Sequence, residues 1–101
     1  MTDTDLDTMY QAVLRQNAAS KPGVQMAIHT DETFKDESGF YLVLALSDGG
    51  YIPLQGFWTY ETATDARADA DRLNSEVFNL TSGEALNVVI DSMRSQGGFG
   101  G

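Results

Sequence analysis

Residues 39–74, GFYLVLALSDGGYIPLQGFWTYETATDARADADRLN, decide the fold. An apolar run, a turn, an aromatic run and an alanine-rich amphipathic stretch follow one another without a break, which reads as a hairpin running straight into a helix. Phe40, Leu42, Leu44 and Leu46 alternate with Tyr41, Val43 and Ala45, so the strand over 40–46 is apolar on both faces. Such a strand is central and needs cover on each side, from its own helices or from a second chain. Asp48-Gly49-Gly50 supplies the positive φ that a tight hairpin demands. No helix start or Walker pattern follows these glycines, which excludes a phosphate loop. In the return strand Tyr51–Leu54, Pro53 cannot donate to a ladder and marks an edge or a bulge.

Gly56 bends the chain, and Phe57, Trp58, Thr59 and Tyr60 are expected to continue as a strand with Phe57 and Thr59 on one face and Trp58 and Tyr60 on the other. One pair reaches the core, and the other either packs on the chain's own helices or meets a partner, where Trp and Tyr carry much of the binding energy. Thr62 and Asp65 are spaced as a capping box opening the second helix. Its buried stripe is Ala63, Ala66, Ala70, Leu73 and Val77, with Asn74 as a C-terminal stop. On the opposite side Glu61, Asp65 and Asp69 repeat every four residues, partly offset by pairing of Arg67 with Asp71 and of Arg72 with Asp69 or Glu76. A row of carboxylates on a helix imitates spaced phosphates; the plainer reading is a solvated face.

Upstream, Leu6, Met9, Tyr10, Val13 and Leu14 share one helical face. Thr4 and Asp7 are placed to cap that helix, and Asp3, Asp5 and Asp7 favour its positive end. The alternating aspartates are not a calcium loop, because Thr8 and Leu14 stand where the turn glycine and bidentate glutamate are required. The helix is expected to end near Asn17, before Ser20-Lys21-Pro22-Gly23. Val24–His29 alternates as a half-buried strand ending in the single histidine, a partly exposed strand residue rather than a base or a metal ligand. Thr30–Ser38, with Asp31, Glu32, Asp36 and Glu37 around Phe34, reads as a solvated loop. Downstream, Thr81 and Glu84 form a second capping box for a helix over 82–96 whose apolar face is Ala85, Leu86, Val89, Ile90 and Met93, with Val88 just outside it. Val77, Phe78 and Leu80 pin the connection before it to the core.

The expected fold is therefore α+β: a three- to four-stranded antiparallel meander with about three helices in the order α-β-β-β-α-α, one domain over 1–96 and a flexible glycine-rich tail over 97–101. The net charge of −9, from fifteen carboxylates against six basic residues, disfavours direct binding to nucleic acid or to an anionic membrane. The absence of cysteine excludes disulfides and thiolate chemistry and points to the cytoplasm. The amino terminus lacks the basic and apolar regions of a signal peptide, and no run is long enough to cross a bilayer. No catalytic or metal pattern appears and no cofactor is implied, so the expectation is a binding protein rather than an enzyme.

The run Tyr51–Asn74, with its Gly56-Phe57-Trp58-Thr59-Tyr60 end, Thr62-Ala63-Thr64-Asp65-Ala66 and Arg72-Leu73-Asn74, resembles a pattern of small phage and mobile-element proteins. In its shortness, acidity and lack of cysteine the chain is similar in character to phage-encoded inhibitors of host defence, including anti-CRISPR and anti-restriction proteins. That resemblance implies a protein partner with a basic, nucleic-acid-binding surface in a host cytoplasm, and carries over no binding residue. The residues expected to meet such a partner are Glu61, Asp65, Asp69, Trp58 and Tyr60. The alternative is a structural protein that assembles as a homodimer through its apolar strand and aromatic segment.

Overall fold

A computed structural model describes residues 3–95, with side chains from residue 6 onward. Thr4, expected to cap the first helix, lies within α1, and its side chain and those of Asp3 and Asp5, like the tail over 97–101, lie outside what the structure describes. The order of elements is α1 (Asp3–Ala18), β1 (Met26–His29), β2 (Lys35–Asp36), β3 (Gly39–Phe40), β4 (Val43–Leu46), β5 (Tyr51–Pro53), α2 (Ala63–Glu76) and α3 (Ser82–Ser95). β1, β4 and β5 form an antiparallel meander with β4 central, and β2 and β3 form a separate two-stranded hairpin. The architecture is α+β, as expected.

β4 is joined to β5 by the anticipated turn, in which Gly49 has φ +103° and the Gly50 N–H is received by Asp48 Oδ1 at 3.1 Å. Pro53 lies on the outer strand opposite Val43, where its missing N–H costs no ladder bond. Both faces of β4 are covered by the chain itself. On one face Met26, Ile28, Leu42 and Leu44 pack with Met9 and Val13 of α1 and Ala66, Ala70 and Leu73 of α2. On the other, Ala27 and Ala45 lie beneath Ala85, Val88 and Val89 of α3. Small residues on both sides of this second layer bring helix and sheet close together. β1 is thus buried on both faces, not half-buried.

Three further expectations are corrected by the packing of the sheet and of α3. The strand over 40–46 is broken: Gly39–Phe40 turns away to pair with Lys35–Asp36, and only Val43–Leu46 belongs to the main sheet. Thr30–Ser38 is accordingly not a plain solvated loop. Its hairpin sets the Phe34 ring edge-on to His29 and stacked on Tyr41, with centroids 5.3 and 5.8 Å apart, and so packs over these side chains at the end of the sheet. The third correction is the rotation of α3. Val88 is buried, whereas Leu86 and Met93 are 57% and 44% exposed. Ser92 takes the inward position, donating from Oγ to the Gly50 carbonyl at 3.4 Å, and Ser95 donates to the Ser47 carbonyl at 2.8 Å. These bonds seat the end of α3 on the β4–β5 turn.

Asn74 does not stop α2, which runs on to Glu76. Its buried amide faces the outer edge of β1, where Oδ1 accepts from the Ile28 N–H at 2.6 Å and Nδ2 donates to the Ile28 carbonyl at 2.9 Å. One side chain thereby supplies the missing rung of a neighbouring strand and closes an edge that would otherwise present unpaired groups. Asn74→Ala leaves both Ile28 groups without these partners and is expected to destabilise the fold by about 2–4 kcal/mol. A urea midpoint equal to that of the parent protein would show that the edge does not depend on this amide.

Candidate functional site

The five residues expected to meet a partner gather where the chain enters α2. Phe57–Tyr60 is not a regular strand. A turn at Gln55–Phe57 is followed by a single bridge at Tyr60, whose N–H donates to Phe40 O at 2.7 Å while Tyr60 O accepts from Phe40 N at 2.8 Å. This crossing is close. Gly39 has φ +133°, and a Cβ there would stand 2.5 Å from Tyr60 O, so the position needs glycine twice over. The bridge ties the small hairpin to the aromatic segment and fixes Trp58 and Tyr60 against the first core layer, each half-buried.

Thr62 caps α2 as anticipated, its Oγ1 accepting from the Asp65 N–H at 3.0 Å. Glu61 lies before that cap, so the three carboxylates do not form a row on one helix. They also differ in environment. Glu61 and Asp65 are exposed, whereas the Asp69 side chain is 15% exposed and engaged on both oxygens. Tyr60 donates its hydroxyl to Asp69 Oδ2, and Arg72 donates from Nε to Oδ1 at 2.8 Å. Arg72 also reaches Glu76 at 3.0 Å, and its guanidinium lies 5.8 Å from the Tyr10 ring centroid on α1. Asp69 is therefore the centre of a network joining α1, α2 and the aromatic segment, and of the three carboxylates Glu61 and Asp65 remain as outward negative charge. Of the anticipated cation partners, Arg72 takes both of its acids, while Arg67 makes no ion pair among the described residues.

Two adjoining grooves run over this junction. Ser38, Thr59 and Glu61 line one, of about 370 Å³; Leu6, Ala68, Asp69 and Arg72 line the other, of about 410 Å³; Trp58, Tyr60 and Asp65 belong to both. A half-buried Trp side chain beside two exposed carboxylates, with Arg72 at the far side of the second groove held by Asp69 and Glu76, offers an apolar contact next to negative charge, suited to a cationic, partly apolar surface.

His29, at the end of β1, is half-buried, and burial holds its pKa below the ordinary imidazole value despite the opposing charge of Asp31. Among the described residues no group of His, Asp and Glu side chains is arranged to hold a metal ion, and no helix is long and apolar enough to cross a membrane. No family, no curated protein and no solved structure matches the chain.

Burial, and secondly the Asp69 carboxylate, push the Tyr60 hydroxyl well above its ordinary pKa. The folded protein therefore keeps a proton that the unfolded chain releases near pH 10. Below that pH the contribution to stability is complete, and as pH rises above it the unfolded state binds fewer protons and stability falls. Tyr60→Phe is expected to cost about 1–2 kcal/mol at neutral pH, since Asp69 keeps Arg72. It should also make the alkaline decline in the urea midpoint shallower, part of the decline remaining because burial raises Tyr51 as well. An unchanged alkaline slope in the variant would mean that Tyr60 does not hold its proton in this way.

Proposed function

We propose that the protein is a small acidic protein-binding module, acting by binding rather than catalysis, and docking through the junction of the aromatic segment and α2 on a basic surface of a partner. The observation that carries this reading is the meeting of Trp58, Tyr60, Glu61 and Asp65 around two adjoining grooves, in a chain of net charge −9. Trp58 supplies the apolar anchor, Glu61 and Asp65 the charge, and Asp69 the rigidity by locking Tyr60 in place. In this reading the character is that of a phage-type inhibitor, active in a host cytoplasm, that covers the nucleic-acid-binding surface of a defence protein and turns aside the anionic ligand that surface was built for.

Electrostatic docking of this kind is strongly screened by salt, because exposed charges interact over about 8–10 Å at moderate ionic strength. The test is affinity capture from host lysate at low and high salt, followed by titration of the captured protein against designed variants. Glu61→Lys with Asp65→Lys is expected to weaken binding at least about tenfold and to flatten its salt dependence, while Trp58→Ala weakens it without changing the salt dependence. Asp69 is left intact because its loss would disturb the fold. A partner bound equally well by the charge-reversed protein would refute this surface.

A second reading, self-association, no longer needs the apolar strand, whose faces are filled by the chain's own helices. It rests on Leu86 and Met93, the exposed large apolar residues of α3. Sedimentation velocity over a wide concentration range separates the two, since a monomer at every concentration removes the second.

A further inference from the structure

A second cleft, of about 340 Å³, opens on the other side of α2, between that helix, the start of α3 and the end of β1. Its volume falls at the lower end of the range of small-molecule sites. Its apolar wall is formed by Ile28 from the strand, Ala70 from α2 and Ala85, Leu86 and Val89 from α3, with His29 and Thr30 at the end of β1 and Ser82 at the start of α3 adding polar groups to the lining. The rim from α2 carries one cation and one anion, Arg67 and Asp71, a single helical turn apart. The same spacing recurs five residues on, where Arg72 and Glu76 close into an ion pair at 3.0 Å. Arg67 and Asp71 do not close: among the described residues neither makes an ion pair, although the charge of Arg67 is felt at His29 and at the Asp31 carboxylate beyond the end of β1. Asn74, the remaining polar side chain of α2 in the cleft, is committed to Ile28 and is not available to a ligand.

An open pair of opposite charges beside an apolar wall matches a small molecule that carries both charges and an aliphatic body. We propose that this cleft binds a free aliphatic α-amino acid, with its carboxylate on Arg67, its ammonium group on Asp71 and its side chain against Leu86 and Val89. Leu86, more than half exposed in the protein alone, is then covered by the ligand. A lone anion would meet Asp71 and a lone cation would meet Arg67, so both charged groups of the ligand are needed. The site is on the opposite face of α2 from Trp58 and Asp65 and does not depend on the docking surface proposed above.

The test is a nuclear magnetic resonance titration of the full chain with L-leucine. Saturable shifts are expected at Ala85, Leu86 and Val89, and not at Trp58. Arg67→Ala and Asp71→Ala, both at exposed positions and checked for folding by circular dichroism, should each weaken binding about ten- to hundredfold, the worth of a charge-assisted hydrogen bond. Leucinamide, lacking the carboxylate, and N-acetyl-leucine, lacking the ammonium group, should bind the parent protein as weakly as leucine binds the corresponding variant. Replacing leucine by leucinamide should then cost nothing further in Arg67→Ala. The proposal is overturned if millimolar leucine produces no saturable shift, if N-acetyl-leucine binds the parent protein as well as leucine does, or if both variants keep the parent affinity.

Discussion

The pair of hydrogen bonds between the Asn74 side chain and the backbone of Ile28 is the constraint on which the placement of α2 depends. Apolar contacts between a helix and a sheet are non-directional, and the alanine stripe of α2 would tolerate some sliding along Met26 and Ile28. A buried amide does not. Both of its bonds must be made at once, because a buried donor or acceptor left unpaired costs more than a made bond contributes. Asn74 therefore sets the position of α2 along its axis, and with it the positions of Asp69, Arg72 and the cap at Thr62. The edge of β1 is closed by the same device, which leaves β5, shortened by Pro53, as the other edge of the sheet.

With α2 fixed, the two faces of the sheet are filled by different means. One face receives the bulk of α1 and α2 on long aliphatic side chains. The other receives α3 on alanines, and Phe34 from the small hairpin packs there on His29, Tyr41 and Tyr51. Helix α3 packs through Ala85, Val88 and Val89, and Ser92 and Ser95 bond its last turns to the turn between β4 and β5. This explains why Leu86 and Met93 stand outside while a serine is fully buried. The arrangement lets a chain of 101 residues cover a central strand on both faces without a second subunit.

Features governed by local rules were legible in the sequence. The turn at Asp48-Gly49-Gly50, the cap at Thr62 and the reciprocal cap in which Thr81 N–H donates to Glu84 while Glu84 N–H donates to Thr81 all follow from a few neighbouring residues. Features set by distant contacts were not. Phe34 sits among four acids and reads as part of a solvated loop, and nothing nearby in sequence announces that His29, Tyr41 and Tyr51 form its seat. Asn74 reads as a helix stop because its partner is 46 residues away. The buried face of α3 is ambiguous in the sequence because Ala85, Leu86, Val89, Ile90 and Met93 make as regular a stripe as Ala85, Val88, Val89 and Ser92, which is the one that packs. For the candidate site, sequence spacing brought Glu61, Asp65 and Asp69 together as equivalents. The signal that would have separated them is the Tyr60 to Asp69 reach across the helix start, together with Arg72 three residues beyond Asp69.

That separation bears on how an acidic surface can be selective. Three equivalent exposed carboxylates would attract any cation and hold none in a defined pose, since exposed ion pairs contribute little once screened. Neutralising Asp69 internally removes one charge from the outward field but makes Tyr60, and the groove beside Trp58, rigid. The remaining acids, Glu61 and Asp65, share grooves with Trp58, which packs on the same core layer as Tyr60. Long-range attraction and short-range fit are thus assigned to different residues, the first to exposed carboxylates that keep their water and the second to aromatics held by a half-buried network. In the docking proposed above, a surface organised this way selects a partner by the spacing between its basic and apolar groups, and total charge serves chiefly to raise the rate of encounter.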